Sequence, residues 1–339
     1  MTALNTRPLG RTGLEISVVG FGAWAVGGGG WSFGWGPQDD QESIAAMRRA
    51  LELGVTWIDT AAVYGLGHSE RVVGRLLAEL PSEKGPLVFT KGGLIWREAD
   101  PMAAAETNLR PASIRRECEA SLGRLGIERI DLYQFHWPDQ ATGTAIEDSW
   151  DEMQCLVDEG KVRFGGVSNF TVELLQRCER RHHVASLQPP FSLIRRKAAE
   201  DVLPWCRAHG TGVIVYSPMQ RGILTDSFSA ARVAAMADDD WRKRGEEFQP
   251  PKLEQGLALR DALRPIAARH GTTVAAVAVA WTLAWPGVTG AIVGARSAAQ
   301  VDGWIDSGRL VLTEQDLDAI AAAAERTGAG KGPGRPSSG

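Results

Sequence analysis

Four side chains whose types could do chemistry recur at comparable places in the chain: Asp59, Tyr64, Lys91 and His136. Asp59 ends the apolar run Val55-Thr56-Trp57-Ile58. Lys91 ends Val88-Phe89-Thr90, and His136 ends Leu132-Tyr133-Gln134-Phe135. Short apolar runs of this kind read as buried strands. Tyr64 follows Asp59 within GVTWIDTAAVYGLGHSE, a stretch rich in small residues. A carboxylate at the end of a buried strand needs a partner, because an unpaired charge in low dielectric is costly. Lys91 supplies one. A phenol has an ordinary pKa of about 10. Beside a Lys ammonium its anion is favoured, so the phenol becomes a better acid. Asp59 would hold Lys91 charged, and His136 would donate a hydrogen bond beside the reacting oxygen. This set could protonate a carbonyl oxygen while hydride arrives at carbon. The plainer alternative is that Asp59 caps a turn and Tyr64 covers the end of the fold.

For these groups to meet, their strands must be neighbours. The sequence predicts strands over Val18–Gly22, Val55–Asp59, Leu87–Lys91, Ile130–Phe135, Val162–Ser168, Ala185–Gln188, Gly212–Ser217 and Ala291–Val293. Between and after them run helical patterns: Gln41–Leu53, Glu70–Leu80, Ser113–Leu125, Ile146–Glu159, Val172–Arg180, Ala199–His209, Leu257–His270 and Ala298–Asp306. Non-alternating strands that each lead to a helix argue for a parallel sheet, and eight such units close a (β/α)8 barrel. A hairpin over Arg7–Ser17 precedes it. The expected organisation is one α/β barrel domain over residues 1–327, with a disordered Gly-rich tail over 328–339. The segment Thr225–Leu257, with its acidic and basic triplets and Pro250-Pro251, is expected to be a mobile excursion over the barrel mouth.

Composition excludes several classes. Of 339 residues, 44% are hydrophobic and 23% charged, as in ordinary globular chains. A net charge of −4 without like-charge runs gives no electrostatic case for nucleic acid or an anionic membrane. No apolar run has the length of a membrane span, and the opening residues carry no leader pattern. A cytoplasmic protein is expected. Cys118, Cys155, Cys178 and Cys206 lack metal or redox spacing and read as buried small hydrophobes. No metal site is expected. Gly20-Phe21-Gly22-Ala23-Trp24-Ala25 fits a dinucleotide fingerprint, but Val26 and a glycine run follow it where a helix would be required.

Seven motifs in order carry a resemblance: the Asp-Tyr stretch above, FTKGG, FHWPD, GGVSNF, LQPPFSLI, YSPMQRGIL and AIVGARSAAQ. Over Arg7 to Ala324 the chain resembles the aldo-keto reductases. That resemblance implies a metal-free (β/α)8 barrel reducing a small carbonyl substrate with NAD(P)H. It makes Tyr64 the general acid, tuned by Lys91 and Asp59, with His136 orienting the carbonyl. It assigns the nicotinamide carboxamide to Ser168, Asn169 and Gln188, and ring stacking to Tyr216. It brings Ser217, Pro218, Met219, Gly222 and Leu224 to the pyrophosphate. Gly294, Arg296, Ser297 and Gln300 would form a phosphate site at a helix start, where Arg296 and Ser297 could hold a 2′-phosphate, which favours NADP (NADPH). The chain departs from the pattern at Gly303 and Trp304, where many relatives carry an acidic residue and an Asn that contact adenine. The family also contains regulatory, channel-associated barrels, which implies a second reading with little turnover. Trp24, Trp31, Trp96 and Trp137 stand on loops near the expected mouth and are candidate substrate walls, suited to aromatic, apolar or sugar-like carbonyl compounds.

Overall fold

The computed structural model describes residues 3–81 and 85–336. An antiparallel hairpin, β1 (Thr6–Pro8) with β2 (Glu15–Ser17), opens the chain. There follow β3 (Val19–Gly22), α1 (Asp40–Glu52), β4 (Trp57–Asp59), α2 (His68–Glu79) and β5 (Leu87–Gly92). A small ribbon, β6 (Leu94–Ile95) with β7 (Glu106–Thr107), precedes α3 (Pro111–Leu125). Then come β8 (Ile130–Phe135), α4 (Ile146–Asp158), β9 (Val162–Ser168), α5 (Val172–Glu179), β10 (Ser186–Gln188), α6 (Val202–His209) and β11 (Gly212–Tyr216). The chain finishes with α7 (Ala230–Ala234), α8 (Lys252–Arg269), α9 (Val274–Leu283), β12 (Gly290–Gly294), α10 (Ala298–Asp302) and α11 (Glu314–Thr327).

The strands β3, β4, β5, β8, β9, β10, β11 and β12 close a barrel in that order, each parallel to its neighbours. This is the (β/α)8 architecture that the strand count implied. Alternate strand residues face the barrel interior. Trp57, Phe89, Leu132, Ile214 and Ile292 do so, and they pack with Leu9, Leu14 and Ile16 of the hairpin into one apolar plug. The Trp57 indole also donates to the carbonyl of Ser17 at 2.8 Å. Gly20 makes room for it, since a Cβ there would lie 2.2 Å from the indole ring. Two residues further along, the same inward rows reach Asp59, Lys91, Gln134 and Tyr216. The plug thus fills the bottom of the barrel, and the polar row sits at the strand ends above it. A larger core between strands and helices, including Ile44, Val73, Ile114 and Leu263, fixes the outer ring.

Several expectations change. The sequence reading assigned no element to α9 or α11. Every residue of α9 is buried, so it has no polar face and no helical period to detect. Helix α11 is marked at its start by a capping box, in which Thr313 and Asp316 exchange hydrogen bonds. Helix α8 begins at Lys252 rather than Leu257. The excursion after β11 has its own apolar cluster of Ile223, Phe228, Val233, Phe248 and Leu253, so its covering of the mouth is packed rather than loose. The tail expected to be disordered is held against the barrel over 328–336, where Arg195 bridges to Lys331; residues 337–339 lie outside the described residues. Cys155 is exposed, unlike the other three cysteines. After β3 the chain makes only a turn at Ala25–Gly27, so the fingerprint-like glycines open no helix.

Candidate active site

Asp59 and Lys91 end neighbouring strands and are 2% and 1% exposed. Lys91 Nζ donates to Asp59 Oδ1 at 2.5 Å and to the Thr60 carbonyl at 2.9 Å, and lies 3.4 Å from Tyr64 Oη. The other oxygen of Asp59 accepts from Gln188 Nε2 at 2.9 Å. Gln134, which sits opposite Lys91 in the sheet, reaches the same oxygen at 3.4 Å. Both oxygens of this buried carboxylate therefore face donors, as a buried ion pair requires. Burial lowers the Lys91 pKa, and Asp59 opposes that shift.

The structure reverses one electrostatic expectation. The Tyr64 pKa lies well above its ordinary value, because of burial first and the Asp59 charge second. Lys91 is already neutralised by Asp59, so it does not acidify the resting phenol. The His136 ring stands edge-on to Tyr64, with centroids 5.6 Å apart. Burial, then Lys91, pushes its pKa well below the usual range, so the ring is neutral. Its Nδ1 is buried with no hydrogen-bond partner among the described residues.

Two cavities meet at Tyr64. The first, of about 340 Å³, runs as a groove from Asp59 and Tyr64 to Thr273, Gly303 and Trp304. It is lined by Gln188, Tyr216, Ser217, Pro218, Met219, Gly222, Gly294, Arg296 and Gln300. Ser168 and Asn169 lie on the second cavity instead. Asn169 is held by the Tyr216 hydroxyl, which donates to its Oδ1 at 2.9 Å, and its own amide donates to the His136 carbonyl. Leu224 is buried in the core and Ser297 is half-buried beside the groove; neither side chain is among the groove's walls. Arg296 is tied to the loop after β3, through Gln38 Oε1 and the carbonyls of Trp35 and Pro37. None of those partners is a carboxylate.

The second cavity, of about 380 Å³, has walls of Trp24, Trp31, Phe33, Trp137 and Trp241, with His136 at its base. Trp96 packs beside Trp31 outside these walls. Sequence reasoning missed Trp241, Trp35, Arg221 and Arg242. Trp241 stacks on Trp24, which stacks on Tyr64, at centroid distances of 5.5 and 6.1 Å. Arg242 lies 4.2 Å over Trp35 and pairs with Asp240. Trp241 and Arg242 stand in the charged run DDDWRKR, within the segment expected to be a mobile excursion over the mouth. Arg221 stands inside the YSPMQRGIL motif, and that motif was its only signal. The groove also offers buried N–H groups without partners among the described residues, at Arg221 Nε, Trp35 Nε1 and Trp304 Nε1. Glycines at 22, 222 and 294 let a ligand approach the backbone. A long, anionic, partly planar cofactor fits these features.

A sequence model of the Aldo/keto reductase family matches residues 19–325. The chain belongs to this family. It is 35% identical over 317 residues to aldo-keto reductase YhdN of Bacillus subtilis (strain 168), covering 93% of this chain and 92% of that one. It is 32% identical over 328 residues to the NADH-specific methylglyoxal reductase of Escherichia coli (strain K12), covering 94% and 98%. The solved glycerol dehydrogenase AKR11B4 of Gluconobacter oxydans superposes with a TM-score of 0.86 at 38% identity, over 98% of both chains. As an aldo-keto reductase the chain is an oxidoreductase of a nicotinamide-dependent family whose typical substrates are carbonyl compounds. Among its described residues, no helix is long and apolar enough to cross a membrane.

Proposed function

We propose that the chain reduces aldehydes or ketones to alcohols with NADPH, with Tyr64 as the proton donor. The observation that carries this reading is the position of Tyr64, on the walls of both cavities and 3.4 Å from a buried ammonium. Residues 188, 216–219, 222, 294, 296 and 300 would hold the cofactor in the groove, with Tyr216 against the nicotinamide and the backbone of 217–222 near the phosphates. The bound nicotinamide supplies the hydride. A substrate oxygen would lie between Tyr64 and His136. Burial keeps the phenol protonated across the neutral range, the form a donor needs. As the carbonyl oxygen gains charge, Tyr64 gives up its proton. The phenolate left behind faces Lys91, which Asp59 keeps charged despite burial. His136 is neutral, so it acts as a hydrogen-bond partner rather than as an acid.

The preference for NADPH rests on Arg296. Its bonds to the loop after β3 occupy one N–H on each guanidinium nitrogen and leave donors for a 2′-phosphate. No carboxylate neutralises it among the described residues, and Arg232 lines the same groove. The methylglyoxal reductase relative is named for NADH, so this choice is one on which relatives differ. The indole walls favour carbonyl substrates with an apolar or aromatic body. The test is NADPH oxidation with 4-nitrobenzaldehyde, run beside NADH and beside Tyr64→Phe. A wild-type rate that the variant abolishes while still binding cofactor supports the reading. A variant as fast as wild type overturns the proton-donor assignment.

A further inference from the structure

Arg221 stands where the two cavities meet and is held there by a chain of buried contacts that begins at the C-terminus. Its guanidinium lines both cavities and lies 4.7 Å over the Trp241 ring. One nitrogen bonds Glu247 at 2.6 Å, while Nε is buried without a partner among the described residues. Its backbone has a φ of 56°, and the preceding Gln220 one of 47°. Two consecutive left-handed residues that are not glycine persist only where their surroundings hold them.

The surroundings are a tight turn at Ser192–Arg195. The Ser192 hydroxyl donates to Gln220 Oε1 at 2.7 Å and accepts from the amides of Ile194 and Arg195. Both Ser192 and Gln220 are fully buried. Arg195 also comes within 4.0 Å of Glu247, the partner of Arg221. This turn is gripped in its own right. Arg196 is buried and donates to the carbonyls of Leu193, Ala329 and Gly332, the last two at 2.9 Å. Its amide donates to the Lys331 carbonyl at 3.3 Å. Gly330 has a φ of 74° and lies so close that a Cβ would stand 1.9 Å from the Ile194 carbonyl oxygen. Beyond it, Arg335 ties the segment to Glu314 and Asp318 on α11.

We infer that residues 329–332 form a clasp which, through Arg196 and the Ser192 turn, positions Arg221 so that its free Nε–H meets an oxyanion of the cofactor. This rests on the reductase reading above. The clasp itself touches neither cavity, so it acts through Arg221 alone and its residues are positioning residues.

The test is NADPH affinity, followed by tryptophan fluorescence on the full chain, in Gly330→Ala, Arg221→Ala and the double variant. A charged hydrogen bond is worth roughly tenfold or more in affinity. Gly330→Ala is therefore expected to weaken NADPH binding about tenfold, with kcat at saturating cofactor unchanged within about twofold. Arg221→Ala should cost as much or more, and the double variant no more than Arg221→Ala alone, since the two act through one contact. Removal of 328–339 is the second variant, for use should Gly330→Ala not fold, and the same non-additivity is expected of it. Wild-type affinity in both clasp variants overturns the inference, as do losses that multiply in the double variant. A wild-type chain that binds neither NADPH nor NADH overturns the reductase reading and this one together. A chain that binds NADPH equally with and without the clasp overturns this one alone.

Discussion

The polar cluster at the centre of the site and the walls around it are built in different ways. Asp59, Lys91, Gln134 and Gln188 project from the ends of four barrel strands whose register is fixed by parallel pairing. Trp24, Trp31, Trp241 and Arg242 come from two loops, after β3 and after β11, that meet over the barrel mouth. There, the Trp241 amide donates to the Gly34 carbonyl, and Gly30 donates to Asp239. In the first region, moving one residue would require shifting a strand against the apolar plug beneath it. In the second, it requires breaking a few loop hydrogen bonds and an aromatic stack. The difference predicts a division of labour: strand-borne groups set the rate of the chemical step, and loop-borne groups set which molecules reach it.

The largest effects should come from the strand-end cluster and from Tyr64, the loop residue whose hydroxyl lies 3.4 Å from Lys91 Nζ. Tyr64→Phe removes the proton donor and is expected to lower kcat by about 10²–10⁴-fold, with cofactor affinity retained. Lys91→Met should cost a similar factor in rate. It also strands Asp59 unpaired in the interior, so the variant should lose roughly 3–5 kcal/mol of stability in denaturant unfolding. A Lys91→Met protein as stable as wild type would show that Gln188 and Gln134 alone satisfy Asp59, and the strand-borne cluster would then be less coupled than its geometry implies.

The same contrast explains what could be read from the sequence. Strand-end residues are legible because period two and the apolar run before them fix their depth. That is why Asp59, Lys91 and His136 could be placed at one end of the barrel without coordinates. Tyr64 was legible from its five-residue spacing to Asp59. Its electrostatics were not, because the sign depends on whether Asp59 or Lys91 dominates once both are buried. Trp241 was hidden because its role depends on a tertiary stack with Trp24, more than two hundred residues away. Helix α9 was hidden for the opposite reason: complete burial erases the periodicity that marks a helix. The clasp at 329–332 was hidden by its glycines. Their composition reads as disorder, whereas the fold uses them for close approach to Ile194 and Arg196.

On the loop side, Arg296 offers the next largest effect. Charged hydrogen bonds are worth about 1.5–3 kcal/mol, so Arg296→Leu should raise the KM for NADPH by roughly 10–100-fold. The KM for NADH should change far less. Arg296 also ties the loop after β3, so the ratio of the two KM values is the measurement that matters. An equal rise for both cofactors would assign Arg296 to loop support and leave the 2′-phosphate to other groups. Trp241→Ala should be weaker still. Losing one stacked ring costs about 0.5–1.5 kcal/mol beyond its area, so KM for an aromatic aldehyde should rise roughly tenfold with kcat nearly unchanged. A fall in kcat with KM held would move Trp241 from the wall to the chemical step, through Trp24 and Tyr64, and would break the division between the two regions.

The smallest expected effect on rate is a null that tests the electrostatics directly. His136 is held neutral by burial and Lys91, so kcat for reduction should be flat between about pH 6 and 8, with no inflection near the ordinary imidazole pKa of about 6.5. The cost appears in stability. The unfolded chain takes up a proton on this histidine below about pH 6.5 and the folded chain does not. Protons bind the unfolded state, so the contribution is complete above that pH and is lost as pH falls. For one group the loss is about 1.4 kcal/mol at one unit below the unfolded pKa. Wild type should therefore lose that much more stability than His136→Gln on going from about pH 7.5 to 5.5, read as the difference between their denaturant midpoints. Equal losses in the two proteins, together with a rate that titrates near 6.5, would mean that His136 ionises in the folded site. The histidine would then be an acid in competition with Tyr64, rather than the neutral partner that its burial makes it.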